Sequence, residues 1–406
     1  MRVETTLSGH HRIEAIDMVR GLAVMVMLLD HTRLFFHNAS LHIDPTDLSR
    51  TSAALFLTRW ITHPVAPIFV FLAGTAAFLR TERGKTEHRL SRFLLTRGLW
   101  LVVLEFTIVR LGINFNFDYH RFFGSMQVIW VIGVSMMLLA LLVRLPAAVV
   151  AAVGIVMIGA HNLLDGIHVA SWKGPRSAAP DLLDVIWLVL HQPGAFILCP
   201  YPCPRIFVLY PLIPWVGVMA AGFAFGAVYR LHAERRRRFL IWTGLALMSA
   251  FVVLRTFNIY GDPQPWQAQT SSLFTIFSFL DVTKYPPSLL FLLMTLGPGL
   301  LILALFERVR PGKWGTVLST FGKVPLFFYL LQFFVAHGLA VLAGFVAGQP
   351  IAYQFAPYRK APPGVGFDLW VVYLFWVVGL VMLYPVCRWF AALKKRRRRD
   401  WWLSYL

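Results

Sequence analysis

Residues 13–36 read IEAIDMVRGLAVMVMLLDHTRLFF. At about 1.5 Å per residue this segment spans about 36 Å as a helix, enough to cross a bilayer. It carries Asp17, Arg20, Asp30 and Arg33 among residues that are otherwise almost all apolar. A cleavable signal peptide needs an uninterrupted apolar core, and Asp17 and Arg20 stand where that core would be. The segment therefore predicts a retained membrane helix. Its charges are functional candidates by default, because ionisable groups are costly inside a bilayer.

The rest of the chain extends this reading. It has 406 residues, is 58% hydrophobic and only 14% charged. Soluble domains average about 45–50% apolar and about 25% charged, so a soluble enzyme, a disordered chain and a disulfide mini-protein are all excluded. The apolar blocks are too long and too unbroken for an outer-membrane barrel, whose strands alternate apolar with polar. The fold class expected is an all-α polytopic helical bundle of about ten spans: 13–36, 52–79, 93–113, 124–143, 146–164, 205–229, 238–257, 285–306, 322–346 and 368–391. The stretch 181–198 is too short and polar for a span and is left as an interfacial or re-entrant piece. Pro64 and Pro67 must distort the second span.

Formal net charge is +19. With these spans, 22 basic residues fall on one side: Arg2, Arg12, Arg80, Arg83, Lys85, Arg89, Arg92, Arg144, Arg230, Arg235 to Arg238, Arg308, Arg310, Lys313, Lys394, Lys395 and Arg396 to Arg399. Seven fall on the other: Arg50, Arg121, Lys173, Arg176, Lys284, Arg359 and Lys360. Basic loops mark the cytoplasmic side. Both termini are thus expected in the cytoplasm, and the surplus needs no nucleic-acid partner. Residues 1–12 form a cytoplasmic N-terminus, 13–391 one transmembrane domain, and 392–406 a basic cytoplasmic tail.

Helical arithmetic sorts the polar residues of the first span. Arg20 and His31 lie within about 20° of one another and Asp17 within about 40° of His31, using 100° per residue. Asp30, Arg33 and His37 form a second stripe about 100° away. A histidine in the outer half suits a general base, with Asp30 or Asp17 to orient it. The competing reading is an Asp17–Arg20 ion pair with His31 hydrogen-bonded to a neighbouring helix. His31, His37, His42 and His63 show no i,i+4 pair, so no metal site is expected among them. His63 stands beside the proline break and could face a cavity. Asn114 and Asn116 in LGINFNFDYHRFFG (111–124) sit among aromatics, which suits sugar binding and equally an interfacial belt. Lys284 lies at the outer mouth of one span, and Lys323 at the inner end of the next, where it could meet an anionic ligand. Cys199 and Cys203 in CPYPC could pair in an oxidising compartment; Cys387 reads as a buried apolar residue.

Five blocks together carry a resemblance: RIEAIDMVRGLAVMVMLLDHTRLFFH (12–37), RWITHPVAPIFVFLAGTAAFL (59–79), YPLIPWVGVMAAGFAFG (210–226), KYPPSLLFLLMTLGP (284–298) and FGKVPLFFYLLQFFVAH (321–337). In this order they resemble a bacterial membrane family related to the catalytic domain of heparan-α-glucosaminide N-acetyltransferase. The resemblance implies a transmembrane acyltransferase of the bacterial inner membrane, taking an acetyl group from cytoplasmic acetyl-CoA to a carbohydrate or glycan on the outer side. It implies acetyl-CoA as co-substrate, with Arg20 and Lys323 as contacts, and membrane lipids as surroundings; oligomers are compatible with it. A wider superfamily of membrane O-acyltransferases has an arginine eleven residues before a histidine in its first helix, matching Arg20 and His31. The heparan enzyme's histidine follows a Phe-Phe-Lys run and points to His37 instead. His31 and His37 both remain candidates. The lumenal domain that precedes the first helix in the heparan enzyme has no counterpart in the sequence read here, so acceptor identity does not carry over. His63, Asn114, Asn116 and Lys284 are the candidates for holding the acceptor. The rival class is a transporter or flippase, which broken helices and midplane charges also fit. An internal repeat would favour it, and none is evident.

Overall fold

The structure is a computed structural model, and it describes residues 13–39, 42–81, 87–199, 202–309, 312–357, 361–397 and 400–405. The expected N-terminus 1–12 and the cations Arg83, Lys85, Arg310, Arg359, Lys360, Arg398 and Arg399 lie outside the described residues.

The chain builds a helical bundle with one small sheet. In order, its elements are α1 (Glu14–Phe36), α2 (Ala53–Trp60), α3 (Val65–Thr81), α4 (Glu87–Leu104), α5 (Arg110–Asn114), β1 (Phe122–Met126), α6 (Val128–Leu142), α7 (Ala147–Ala160), α8 (Leu182–Leu190), β2 (Gly194–Ile197), β3 (Arg205–Val208), α9 (Leu212–Phe225), α10 (Ala233–Phe257), α11 (Ser272–Leu280), α12 (Leu289–Arg308), α13 (Lys313–Lys323), α14 (Pro325–Val346) and α15 (Leu369–Arg396). Among the described residues seven helical segments are long and apolar enough to cross a membrane: Ala53–Thr81, Ala147–Leu164, Leu212–Arg230, Ala233–Phe257, Leu289–Arg308, Pro325–Val346 and Leu369–Arg396. The chain is a multi-pass membrane protein. Helices also stand at the other three expected spans. α1 and α4 carry more charge than that criterion allows, and α6 has 15 residues.

Local chemistry explains where helices start and bend. Ser52, Ser271 and Ser288 cap α2, α11 and α12, their hydroxyls accepting from Leu55, Phe274 and Phe291; such caps satisfy backbone donors that have no intrahelical partner. The expected break in the second span falls at residues 61–64. Pro64 immediately precedes α3 and Pro67 is its third residue, where a missing N–H costs no intrahelical bond. The helix begun by α4 continues as one π turn, Glu105–Val109, into α5.

α1 is the hub, packed against α3, α12, α13, α14 and α15. Its approach to α13 is set by two glycines. A methyl group at Gly21 would fall on the Leu318 carbonyl, and one at Gly322 on the Asp17 carbonyl. Small residues permit such backbone contact between helices in lipid. Phe35, Phe36, Leu28, Trp215, Phe291 and Phe328 fill the core. Outward-facing Ile155, Val156, Trp242, Val253, Trp370 and Val381 leave an apolar belt, as a bundle solvated by lipid requires.

The sheet was not anticipated. It has the order β1-β3-β2, with β1 parallel and β2 antiparallel to β3. Cys199 and Cys203 are joined by a disulfide in the β2–β3 turn. The stretch 181–198, left open by sequence, is α8 followed by β2. Residues 313–321, read as part of a basic loop, and 322–323, read as the start of the ninth span, are together the separate helix α13, which buries Ser319, Thr320, Phe321 and Gly322.

Candidate active site

A polar cluster lies where α1, α2, α14 and the segment before α12 meet. Asp30 is its electrostatic centre. Its Oδ1 accepts from Arg33 Nη2 at 2.8 Å and its Oδ2 from Arg59 Nη1 at 2.7 Å. All three side chains are at most one fifth exposed. Two guanidiniums on one carboxylate leave a net positive charge, and Lys284 and His31 stand within electrostatic reach of the same carboxylate. His63, in the break between α2 and α3, faces Lys284, Arg59, Asp30 and Arg33. Tyr285 adjoins Arg59 and Lys284, with Lys284 Nζ 5.4 Å from its ring centre, and Tyr210 packs edge-on to Tyr285.

His31 occupies the α14 side of this cluster. Its ring lies 4.4 Å from that of Phe333, with Gln332 beside it. Gln332 is fully buried, and neither its amide nitrogen nor its amide oxygen makes a hydrogen bond. The Nδ1 atoms of His31 and His63 are likewise buried without a hydrogen-bond partner. Orphaned buried polar atoms cost about 1–3 kcal/mol each. His31 and Gln332 have each other as polar neighbours and His63 faces the charged side of the cluster, so a polar ligand would find under-used donors and acceptors on both sides.

Beneath the cluster, towards the basic face, lies a cavity of about 270 Å³. Its basic-face end is lined by Arg20, Arg80, Arg97, Lys323 and Lys394; its deeper wall is Met27, Phe69, Ala73, Leu101, Ile129, Ile132 and Tyr329. Met27 is one helical turn from His31 on the same face of α1, about 6 Å along the axis. Arg20 also donates from Nη2 to the Leu72 carbonyl at 2.8 Å, which holds it at the junction of α1 and α3. Arg80 lies over the Phe93 ring at 3.6 Å, and Arg97 at 5.8 Å from the same centre. The cations thus suit a polyanion, and the remaining lining an apolar chain.

The sequence candidates fall into three groups. Asp30, His31, His63 and Lys284 come together, and Arg20 and Lys323 line the basic cavity. The others lie elsewhere. Asp17 is buried near the α13 contact, about 21 Å along the axis from His31. That is too far to orient it, so this role is corrected. Asp30 makes no hydrogen bond to His31 either: the two are adjacent on α1, about 100° apart around the helix, and the Asp30 oxygens turn to Arg33 and Arg59. His37 caps α1, and its backbone pairs with Phe367, about 9 Å beyond His31. Asn114 donates to the Arg110 carbonyl at 3.0 Å. Asn116 bonds to Arg110, to the Asn114 and Phe355 carbonyls and to the Asp118 N–H. These two amides hold a loop around the buried Arg110 rather than facing the cluster. Sequence reading noted Tyr285 beside Lys284 and Gln332 along the ninth span without giving either a role, and it missed Arg59, Arg80 and Arg97 as site residues. Arg59 had a visible signal, a lone cation within an apolar span.

Comparison with known families gives a match to the model described as heparan-alpha-glucosaminide N-acetyltransferase, catalytic, over residues 12–261. No curated protein matches the chain. The matched range contains the Asp30 cluster's α1 and α2 residues and the α1, α3, α4 and α6 walls of the cavity. The resembling blocks at 284–298 and 321–337 lie beyond it.

Proposed function

The chain belongs to the heparan-α-glucosaminide N-acetyltransferase catalytic family, a family of transmembrane acetyltransferases, and on that premise we propose that it transfers an acetyl group from cytoplasmic acetyl-CoA to a glycan acceptor on the opposite side of the inner membrane. One observation carries this reading. A cavity lined by five cations and by apolar side chains reaches Met27, one helical turn from the buried His31.

The nucleotide and pyrophosphate of CoA bind at Arg20, Arg80, Arg97, Lys323 and Lys394, where guanidiniums give bidentate phosphate contacts. The pantetheine arm follows the apolar wall and brings the thioester to His31. The acceptor's hydroxyl or amine attacks the carbonyl carbon while His31 takes its proton. The C–S bond then breaks, and the departing CoA sulfur takes that proton back from His31. Charge developing on the carbonyl oxygen meets the net positive field of Arg33, Arg59 and Lys284, and Asp30 balances the imidazolium. Preorganised charge of this kind supplies a large share of catalysis in a water-poor site. Gln332 and His63 hold the reacting groups by hydrogen bonds.

The test is release of free CoA thiol from acetyl-CoA by the detergent-purified protein, with glucosamine as acceptor. His31→Gln should slow release by about 10²–10⁴-fold, the usual contribution of a general base, and His37→Gln by only a few-fold. An unchanged rate in His31→Gln overturns the assignment. The absence of both thiol release and acetyl-CoA binding in the wild type would return the weight to a transporter.

A further inference from the structure

Away from the acyl-transfer site, three side chains converge where α7 ends. His161 and Asp165 are four residues apart, in the turn that closes this segment. His191 follows α8, after a long connection. His161 Nδ1 and His191 Nε2 are 3.4 Å apart, and His191 Nε2 and Asp165 Oδ1 are 3.7 Å apart. All three donor atoms lie within 4.8 Å of one another. Both histidines are at most 3% exposed.

Hydrogen bonding alone serves this arrangement badly. His191 Nε2 is surrounded by the His161 carbonyl at 3.0 Å, His161 Nδ1 and Asp165 Oδ1. His191 Nε2 can offer a single N–H, which serves the carbonyl and leaves Asp165 Oδ1, and His161 Nδ1 in its unprotonated tautomer, without a donor. A divalent ion serves all of the side-chain donors at once. With metal–ligand bonds of about 2.0–2.2 Å, a tetrahedral site separates its ligand atoms by about 3.3–3.6 Å, close to the 3.4 and 3.7 Å separations that His191 Nε2 makes with the other two donors.

The surroundings also fit. Asn162 Nδ2 donates to Asp165 Oδ2 at 2.7 Å, which fixes the carboxylate and leaves Oδ1 turned inward. Asn162 Oδ1 in turn accepts from Leu289 N–H at 2.9 Å, tying the cluster to the start of α12. The Pro287 backbone lies against His161, and the Trp187 ring is 5.4 Å from that of His191. Oriented second partners and an apolar screen are regular features of metal sites. We propose that His161, Asp165 and His191 bind one divalent transition-metal ion of the zinc class. The ion clips the α8 segment, and through it the sheet, to the end of α7 and the start of α12. The four histidines weighed from sequence all fall between residues 31 and 63, and none belongs to this set.

The test uses full-length protein purified in detergent through a tag without histidine. After chelation and gel filtration, Zn²⁺ is titrated with metal content and thermal midpoint as readouts, and Co²⁺ is followed by its visible absorption. One equivalent of zinc, a zinc-dependent rise in midpoint and a tetrahedral Co²⁺ spectrum are expected. His191→Gln and Asp165→Asn should lose at least 100-fold in affinity. Asn162→Ala should lose about 10–100-fold, as removal of such outer partners does. If either ligand variant fails to fold, the wild-type Co²⁺ spectrum decides. No stoichiometric metal and no zinc-dependent shift in the wild type, or a full equivalent retained in both ligand variants, overturns the proposal.

Discussion

At the residue scale, Asp30 has the largest structural consequence. It neutralises one of two arginines that are otherwise buried beside each other. Asp30→Asn leaves both unbalanced, and breaking a buried pair in this way costs about 3–5 kcal/mol. The expected outcome is a large drop in thermal midpoint, with partial recovery when Arg59→Met is added. A midpoint unchanged by Asp30→Asn would refute the charge accounting. Half of this network could be read in advance. Asp30 and Arg33 are three apart on one helix, so periodicity alone predicts their contact. Arg59 is 29 positions away, and its arrival depends on how α2 docks, which spacing does not encode. The same limit explains Gln332, which stands beside His31 only because α14 packs on α1. It also explains Asn114 and Asn116, whose aromatic neighbours suggested sugar binding while the buried Arg110 claims their amides.

At the element scale, long apolar blocks were legible because bilayer thickness sets their length. The proline break after α2 was legible because proline removes a specific hydrogen bond. The sheet was not, since strands of four or five residues inside loops give no alternation long enough to register. α13 was hidden by its own composition: Lys313, Thr316, Ser319 and Thr320 make 313–321 read as a loop. It buries its small face on α1 through Gly322 and Gly21. Gly322→Ala forces the two helices apart, an overpacking that typically costs about 1–3 kcal/mol. It also moves Lys323 and Arg20, which both line the cavity. The expected result is weaker acetyl-CoA binding with a modest fall in thermal midpoint, measured by titration and by thermal unfolding. Unchanged affinity would detach α13 from the site.

At the scale of the whole molecule, one charge pattern serves two ends. A surplus of cations at one face is the pattern that orients a chain in a membrane, and two of them, Arg80 and Lys394, join Arg20, Arg97 and Lys323 from within the helices in lining the cavity. The opposite face uses carboxylates differently. Burial, with Asp44 and Asp262 nearby, pushes the Asp281 carboxyl up to about 7. A raised folded-state value means that the neutral form favours folding, and this contribution is lost as pH rises through about 7. The wild type should therefore lose thermal stability between pH 5 and pH 8 relative to Asp281→Asn. A difference between the two that does not vary with pH would contradict this.

The account rests on the basic cavity being the acyl-CoA site that feeds His31. The most direct measurement is equilibrium titration of acetyl-CoA into the purified wild type, Arg97→Ala and His31→Gln at two salt concentrations. Binding is predicted to weaken with salt, because exposed phosphate contacts are screened. It should fall about 10–100-fold in Arg97→Ala, the loss expected for one charge-assisted contact, and stay within about two-fold in His31→Gln, since a general base acts on the transition state rather than on donor binding. No binding by the wild type, or equal binding by Arg97→Ala, would contradict it.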